Sequence, residues 1–593
     1  MNRFCTILFG LLISSVAFSQ SNVEITVPEL EEHIYYLASD SLKGRKPGTA
    51  ESKLAAEYIR DNFIEFGLQP IGEDGFQYFD VIMSVEPGDN NKFIFEDQDQ
   101  VLFKEFRPMP FSASKSVEAE VVFAGFGFDI EHDSLKWNDF YNINVKDKWV
   151  MILRGDPEPD NDESLFISYG NDRDKVLTAR DHEAAGVLFV NGPQFGEEDK
   201  LAEVSFSRVT ADAGIPVISI TRSLADQLLV TENLSINALE DSIINYRVHT
   251  SFNTNNVVFS TSDLRRVEVT TQNVIAIIPG NDPVLKDEFI VIGAHYDHLG
   301  FGGPGSGSRM PDTVAIHNGA DDNASGTAGI IEMAEKLAAE KDSFKRSVVI
   351  MAFGAEEMGL LGSQFFVSNT LIDLKNVKMM INFDMIGRMN KKERSVMIAG
   401  TGTAVELEEM LAIYEATSDI SFAHSPEGYG ASDHASFYAS GVPVMFFSTG
   451  AHPDYHTPMD DAEKINFLGE KEILDYAYTI IVDLINRDEN LTFQEAGPKK
   501  KQGRSGRGLK VKFGIMPDFT SKDNDGLGIG GVTKDGPAYR AGMLKGDKII
   551  AIEGQPVTNI YDYMNRLKKL KPGQTVSVDV MREGVQKVMV VIL

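Results

Sequence analysis

The sequence predicts an α/β fold: a mostly parallel central sheet flanked by helices, preceded by a β-rich insert and followed by a small β domain. Three observations predict it. Six runs in the second half, 274–278, 289–294, 348–353, 379–383, 396–399 and 442–447, are apolar on both faces, as strands covered by helices on either side must be. Helix-period stretches near 326–340, 404–418 and 470–487 alternate with several of them. Short apolar runs that end in glycine fill the region before, and a glycine-rich, alternating unit closes the chain.

At 593 residues the chain is long enough for two to four domains with sizeable cores. Lys and Arg total 56 against 88 Asp and Glu, a net charge of −32, which disfavours nucleic acid and anionic membrane surfaces as partners. The first residues read as a secretory signal peptide over 1–19: Arg3, the apolar run 4–13, then the small-x-small pair Ala17 and Ser19 before Gln20. That run is too short for a membrane span, so an exported protein, periplasmic or extracellular, is expected. Cys5, the only cysteine, falls inside this segment. The mature chain then has no thiol for a disulfide, a nucleophile or a metal site, and any metal must be held by His and carboxylates.

Residues 20–112 read as an N-terminal part whose helices pack on the later α/β domain. Leu30, Ile34 and Leu37 share one face, and Leu54, Tyr58, Ile59, Phe63 and Phe66 share another before Gly67 ends the pattern. From 113 to 258 the character changes. Runs 121–127 and 149–155 are short strands ended by glycine, a helix pattern at 175–185 feeds Gly186 to Val190, and 215–220 follows. His132 and His182 stand alone there, with no ligand spacing. This segment resembles the protease-associated domain. The α/β domain is expected over 259–495, and the basic, glycine-rich stretch 496–510 reads as a linker. Residues 511–593, with Gly526-Leu527-Gly528-Ile529-Gly530, the stretch 536–543 and an alternating strand at 576–580, resemble a PDZ domain of the kind carried by bacterial proteases. A glycine-rich turn beside a sheet edge can receive a peptide or protein C-terminus, which makes Leu527, Gly528 and Ile529 the candidate carboxylate contacts.

The chemistry gathers at strand ends, where open α/β sheets meet their ligands. Run 289–294 ends in His295-Tyr296-Asp297-His298, run 348–353 in Glu356-Glu357, and run 379–383 in Asp384; His456 follows 442–447. Asp321 lies in the turn Gly319-Ala320-Asp321-Asp322-Asn323-Ala324-Ser325-Gly326, just before a helix pattern. One rim thus collects His295, Asp321, Glu357, Asp384 and His456, acids that would repel one another unless cations lay between them. Cysteine-free N/O ligation suits two zinc ions, with cobalt or manganese as substitutes. Asp321 is expected to bridge, and each ion to take one His and one further acid. Glu356, the remaining neighbour, is the expected general base. Asp297 is expected to accept the other imidazole N–H of His295 and fix its tautomer.

These motifs, with Asp384-Met385-Ile386-Gly387-Arg388 and Tyr455-His456-Thr457 before Asp460, resemble the M28 family of dizinc peptidases, with secreted bacterial aminopeptidases the nearest type. The resemblance implies a zinc-exopeptidase-like fold over roughly 270–490. It implies one zinc on His295 and Asp384, the other on Glu357 and His456, Asp321 between them, and a cis Asp321–Asp322 bond. His434, in Ser432-Asp433-His434, and Arg388 are substrate-contact candidates. The implied function is a secreted zinc aminopeptidase that removes N-terminal residues from peptides by metal-activated water. Three alternatives stand beside it: a glutamate-carboxypeptidase-like enzyme, cyclisation of N-terminal glutamine, and an inert protein that binds peptides through its PDZ-like tail.

Overall fold

A computed structural model describes residues 24–593 apart from 133, 162–163, 197, 203–210, 497–510, 518–524 and 533–535. The expected signal segment 1–19, with Cys5, and all but the first residue of the expected linker lie outside the described residues.

The apolar runs form the middle of a nine-stranded sheet. At its centre Phe289–His295 lies parallel to Ser347–Phe353 on one side and to Val377–Phe383 on the other, and the latter runs parallel to Val444–Ser448. Each of these strands is buried along most of its length. The expectation of a mostly parallel sheet needs correction, because the flanks are antiparallel. Leu264–Ile278 pairs antiparallel with Ser347–Phe353, and Ser395–Ala399 pairs antiparallel with Val444–Ser448. The first reversal has a cause in connectivity. Leu264–Ile278 returns from the insert as the partner of Phe76–Pro87, and these two long strands form an antiparallel arm that carries the insert.

On one face of the sheet, helices Val27–Leu37, Ala50–Glu65, Gly326–Ala339 and Phe467–Asn486 share a core with the strands: Leu30, Ile34, Ile59 and Phe63 are buried together with Ile330, Leu337, Ile473 and Ile480. The opposite face is covered by Leu361–Ser368 and His434–Ala439, whose Phe366 and Phe437 pack on Met380 and Phe353. Burying apolar side chains at about 1.5–3 kcal/mol each is what holds both helix layers on the sheet.

The insert is an eight-stranded sheet with two cores of its own. Its outer strands Lys92–Phe95 and Phe106–Pro108 precede residue 113, so the stretch before that position is helical only up to Glu65 and then turns to strand. The C-terminal unit is a separate small β domain, ordered Ile515–Pro517, Leu527–Val532, Lys548–Ile552, Thr575–Arg582 and Val585–Ile592, with helix Ile560–Lys568. That helix faces helix Asp172–Asp181 of the insert: Arg566 pairs with Asp181 at 2.5 and 2.8 Å, Arg180 with Asp562 at 3.0 Å, and Asn565 with Asp174 at 3.0 Å. Among the described residues no helix is long and apolar enough to cross a membrane.

Leu527, Gly528 and Ile529 lie on an interior strand of this sheet and not on its edge. Their strand lies inside the sheet, with Leu527 and Gly528 paired to Lys548–Ile552 and Ile529 opposite Pro517. Leu527 and Ile529 are buried in the domain core. Period-two reading of the sequence does not distinguish an edge strand from an interior one, and here the terminal strand on that side is Ile515–Pro517.

Candidate metal centre

Strand direction brings the charged groups to one rim. His295 is the last residue of its strand, and Asp384 follows Phe383 directly. Glu356 and Glu357 follow Phe353 through Ala355, which takes a positive φ of 57° and turns the chain sharply. The loop Ala320–Ser325 is tied to the same rim by Asn323, which donates to Phe383 O at 3.0 Å and accepts from Gly326 N at 2.9 Å and Met385 N at 3.2 Å. Gly326 must be glycine, since a Cβ would lie 2.4 Å from both Asn323 Oδ1 and Phe383 O.

Two clusters of donors result. In the first, His295 Nε2 lies 3.3 Å from Asp322 Oδ1 and 3.5 Å from Asp384 Oδ1. In the second, His456 Nε2 lies 3.1 Å from Asp322 Oδ2 and 3.2 Å from Glu357 Oε2. A tetrahedral ion with bonds of about 2.0–2.1 Å holds its donors about 3.3 Å apart, so these spacings fit two cations. His298 is a further imidazole beside the second cluster, with Nδ1 2.8 Å from Glu357 Oε1.

The shared carboxylate is Asp322, and the expectation for Asp321 needs correction. Asp322 presents one oxygen to each cluster. Asp321 turns away: its Oδ1 accepts from Gly387 N at 2.7 Å and Ser325 Oγ at 3.1 Å, and its Oδ2 lies 3.1 Å from His452 Nε2. The cis bond is correspondingly Asp322–Asn323, one residue later than expected. Two adjacent aspartates in one turn carry the same charge and the same spacing to every partner within a residue, so pattern alone does not choose between them.

Charge follows from this placement. Burial works against an imidazolium at His295, yet Glu356, Asp384 and Asp322 outweigh it and push its pKa well above the ordinary value. His456 is likewise pushed up to about 10, because Asp322 and Glu357 outweigh its burial. Burial alone would raise Asp322, but His295 and His456 hold it well below the usual carboxylate range. Glu357 is held at about 2 by His298 and His456 against its burial and the Asp322 charge. Burial pushes Glu356 well up, aided by Glu357 and opposed by His295. The clustered acids therefore demand compensating positive charge, which divalent ions supply.

Asp297 acts differently from expectation. His295 Nδ1 meets its backbone carbonyl at 3.2 Å, while its carboxylate stands 3.9 Å away and accepts instead from Glu356 N at 2.9 Å and Glu357 N at 3.3 Å. One residue thus fixes both the imidazole and the Glu356–Glu357 turn. His434 is buried with its ring stacked on Phe446 at 4.5 Å, and burial pushes its pKa down to about 3; it is not among the clustered donors. Arg388 lies 2.9 Å from Asp454 and 3.7 Å from Asp460, bridging two loops.

Sequence reading missed four residues here besides Asp322. His298 stands in a motif already singled out, but next to a better-placed imidazole. Asp433, buried beside Asp384 and His295, is pushed up to about 7 by burial. Asp460 Oδ2 accepts from the backbone N–H groups of Asp321 and Asp322, each at 3.0 Å. Arg45 is fully buried and donates to Tyr296 O at 2.7 Å, Asn318 O at 2.7 Å, Gly319 O at 3.0 Å and Leu37 O, stapling the His295 and Asp322 loops to the N-terminal helices. Next to the second cluster lies a cavity of ≈ 140 Å³ walled by Lys46, Met83, His298, Leu299, Glu357 and Met358, among others.

Residues 273–481 match the family model described as Peptidase family M28, and this stretch contains every clustered donor. It is an M28 peptidase domain. Residues 117–228 match the PA domain and 514–593 the PDZ domain, so the M28 domain is accompanied by both. A probable leucine aminopeptidase of Arthroderma otae is 29% identical over 219 residues, covering 35% of this chain and 55% of the relative. Aminopeptidase YwaD of Bacillus subtilis is 30% identical over 207 residues, covering 33% of this chain and 41% of the relative. The chain thus spans about half the length of the curated relatives it matches. Among solved structures, BSAP, a zinc aminopeptidase from Bacillus subtilis, aligns with a TM-score of 0.46 at 21% identity, over 79% of this chain and 99% of that one.

Proposed function

We propose that the chain is an exported dizinc aminopeptidase that removes N-terminal residues from peptides. The observation that carries this reading is Asp322, one oxygen of which faces His295 and Asp384 while the other faces His456 and Glu357. Two divalent ions held by these five side chains would polarise a scissile carbonyl and make water nucleophilic near neutral pH. Glu356 reaches the same space, with Oε2 3.9 Å from His295 Nε2. It takes the proton from the attacking water at this carboxylate and returns it to the leaving amine. Asp297 keeps Glu356 and Glu357 in register through their backbone N–H groups. The excess of carboxylates around the centre favours a substrate's protonated α-amine over its α-carboxylate. The PDZ domain is proposed to hold a peptide or protein C-terminus along the sheet edge at Ile515–Pro517.

The test is turnover of amino-acid p-nitroanilides by the zinc-loaded full chain. Hydrolysis that stops on chelation and on N-acetylation of the substrate supports the proposal. Activity confined to peptides with a free C-terminal Glu, or no turnover with two zinc ions bound, overturns it.

A further inference from the structure

His298 is fully buried three residues beyond His295, and the chemistry above gives it no task. Its Nδ1 lies 2.8 Å from Glu357 Oε1 and 4.0 Å from Asp322 Oδ2. Its ring meets that of His456 edge-on, with centroids 5.8 Å apart and planes at 72°. The same ring forms part of the cavity wall next to Glu357 and Met358. Room for it is made on the Asp322 loop, where a Cβ on Gly319 would come within 2.5 Å of the imidazole.

Spacing separates the two imidazoles around Glu357. Donors that share one tetrahedral ion stand about 3.3 Å apart, and His456 Nε2 meets that spacing at 3.1 and 3.2 Å. His298 Nδ1, at 2.8 Å from one acid and 4.0 Å from the other, is too close to Glu357 and too far from Asp322 for the same place in the shell. At 2.8 Å the imidazole and the carboxylate are in direct ion-pair contact, closer than two donors of one tetrahedral ion, without the alignment of a hydrogen bond. Glu357 therefore has one oxygen for each ring: Oε2 beside His456, Oε1 beside His298.

We propose that His298 is a positioning residue for the second cluster, fixing Glu357 through Oε1 so that Oε2 faces His456 and Asp322, and closing the cavity wall beside them. This rests on the dizinc reading and deepens it. Without the imidazole, Glu357 Oε1 loses this contact and the carboxylate's hold on the second ion loosens. The first cluster shares Asp322 with the second, but His298 stands 4.0 Å from the Asp322 oxygen on the second side only, so the first site keeps its affinity.

The experiment compares the full chain with His298→Ala and His298→Asn, since the Asn amide N–H falls near the place of Nδ1. Zinc affinity at each of the two sites is read by competition with a fluorescent chelator. Thermal unfolding of the zinc-free proteins serves as the folding control, and His298→Leu replaces Ala should that variant not fold. Loss of an outer contact of this kind weakens metal binding by about 10–100-fold. The expected result is such a loss at one site only for Ala, recovery to within a few-fold of wild type for Asn, and a kcat restored by excess zinc. Two wild-type affinities in His298→Ala overturn the proposal. So does an Asn variant as weak as Ala, which would make the imidazole itself a ligand. A wild-type chain that binds fewer than two ions fails earlier and overturns the dizinc reading too.

Discussion

Asp460 offers a sharp test of how the bridging carboxylate is held. Its Oδ2 accepts from Asp321 N and Asp322 N, 3.0 Å each, in a place with no access to water. Asp460→Asn keeps the size and one acceptor oxygen but removes the charge. A hydrogen bond to a charged group contributes about 1.5–3 kcal/mol, against about 1 kcal/mol for a neutral one. Two weakened bonds therefore cost about 2 kcal/mol, and relief of the repulsion with Asp321, which helps push Asp460 up to about 6, offsets part of this. The backbone at Asp322 loosens where both ions depend on it, so zinc affinity should fall roughly 10–30-fold. Chelator competition at pH 7.5 measures the change, with unfolding of the zinc-free protein as the control. An affinity within about threefold of wild type would refute the idea that Asp460 sets the bridging geometry. Asp460→Ala, which leaves both N–H groups unpaired at about 1–3 kcal/mol each, should be the more severe variant.

Other expectations follow from the same placement. Arg45→Lys cannot satisfy four carbonyls on three segments, so it should lower both zinc affinity and the melting temperature; an unchanged melting temperature would show that the staple is dispensable. In the PA domain, burial pushes Asp139 from about 3.8 up to about 7 while it accepts from Trp137 Nε1 at 2.9 Å. The folded form then keeps a proton that the unfolded form loses, so this group's contribution to stability falls as pH rises from about 4 to 7, by about 4 kcal/mol at most. Fluorescence of Trp137 in a Trp149→Phe background should titrate near pH 7, and Asp139→Asn should abolish the transition. Arg566→Ala removes the two closest contacts to Asp181 where the PDZ and PA domains meet and leaves only Lys569 at 3.7 Å, so the cost falls below the roughly 3–5 kcal/mol of a fully broken buried pair. Small-angle scattering should then report a more extended particle, while zinc binding stays unchanged.

Much of this was legible because strand ends and ligand chemistry coincide. Continuous apolar runs marked the strands, and the acids and imidazoles that follow them could only meet at one rim. Three features were not legible, each for a physical reason. Asp321 and Asp322 are equivalent by charge and spacing, and only the side-chain ties of Asn323 and Asp460 decide which one faces inward. Arg45 and Asp460 act on backbone carbonyls and N–H groups, which carry no sequence signal. The antiparallel flanks depend on the long return strand from the insert, whose direction no local pattern records. The PDZ domain itself was legible, but the interior place of Leu527, Gly528 and Ile529 in its sheet was not, because glycine-rich alternation reads alike in an edge strand and an interior one.

The central claim is that Asp322 joins two cation sites, and metal counting tests it most directly. Zinc-reconstituted wild type, dialysed and analysed by mass spectrometry, should hold two ions per chain, and Asp322→Asn should retain fewer than one while Asp321→Asn, whose carboxylate faces His452, retains most of both. Two ions retained in Asp322→Asn, or none in active wild type, would contradict the account.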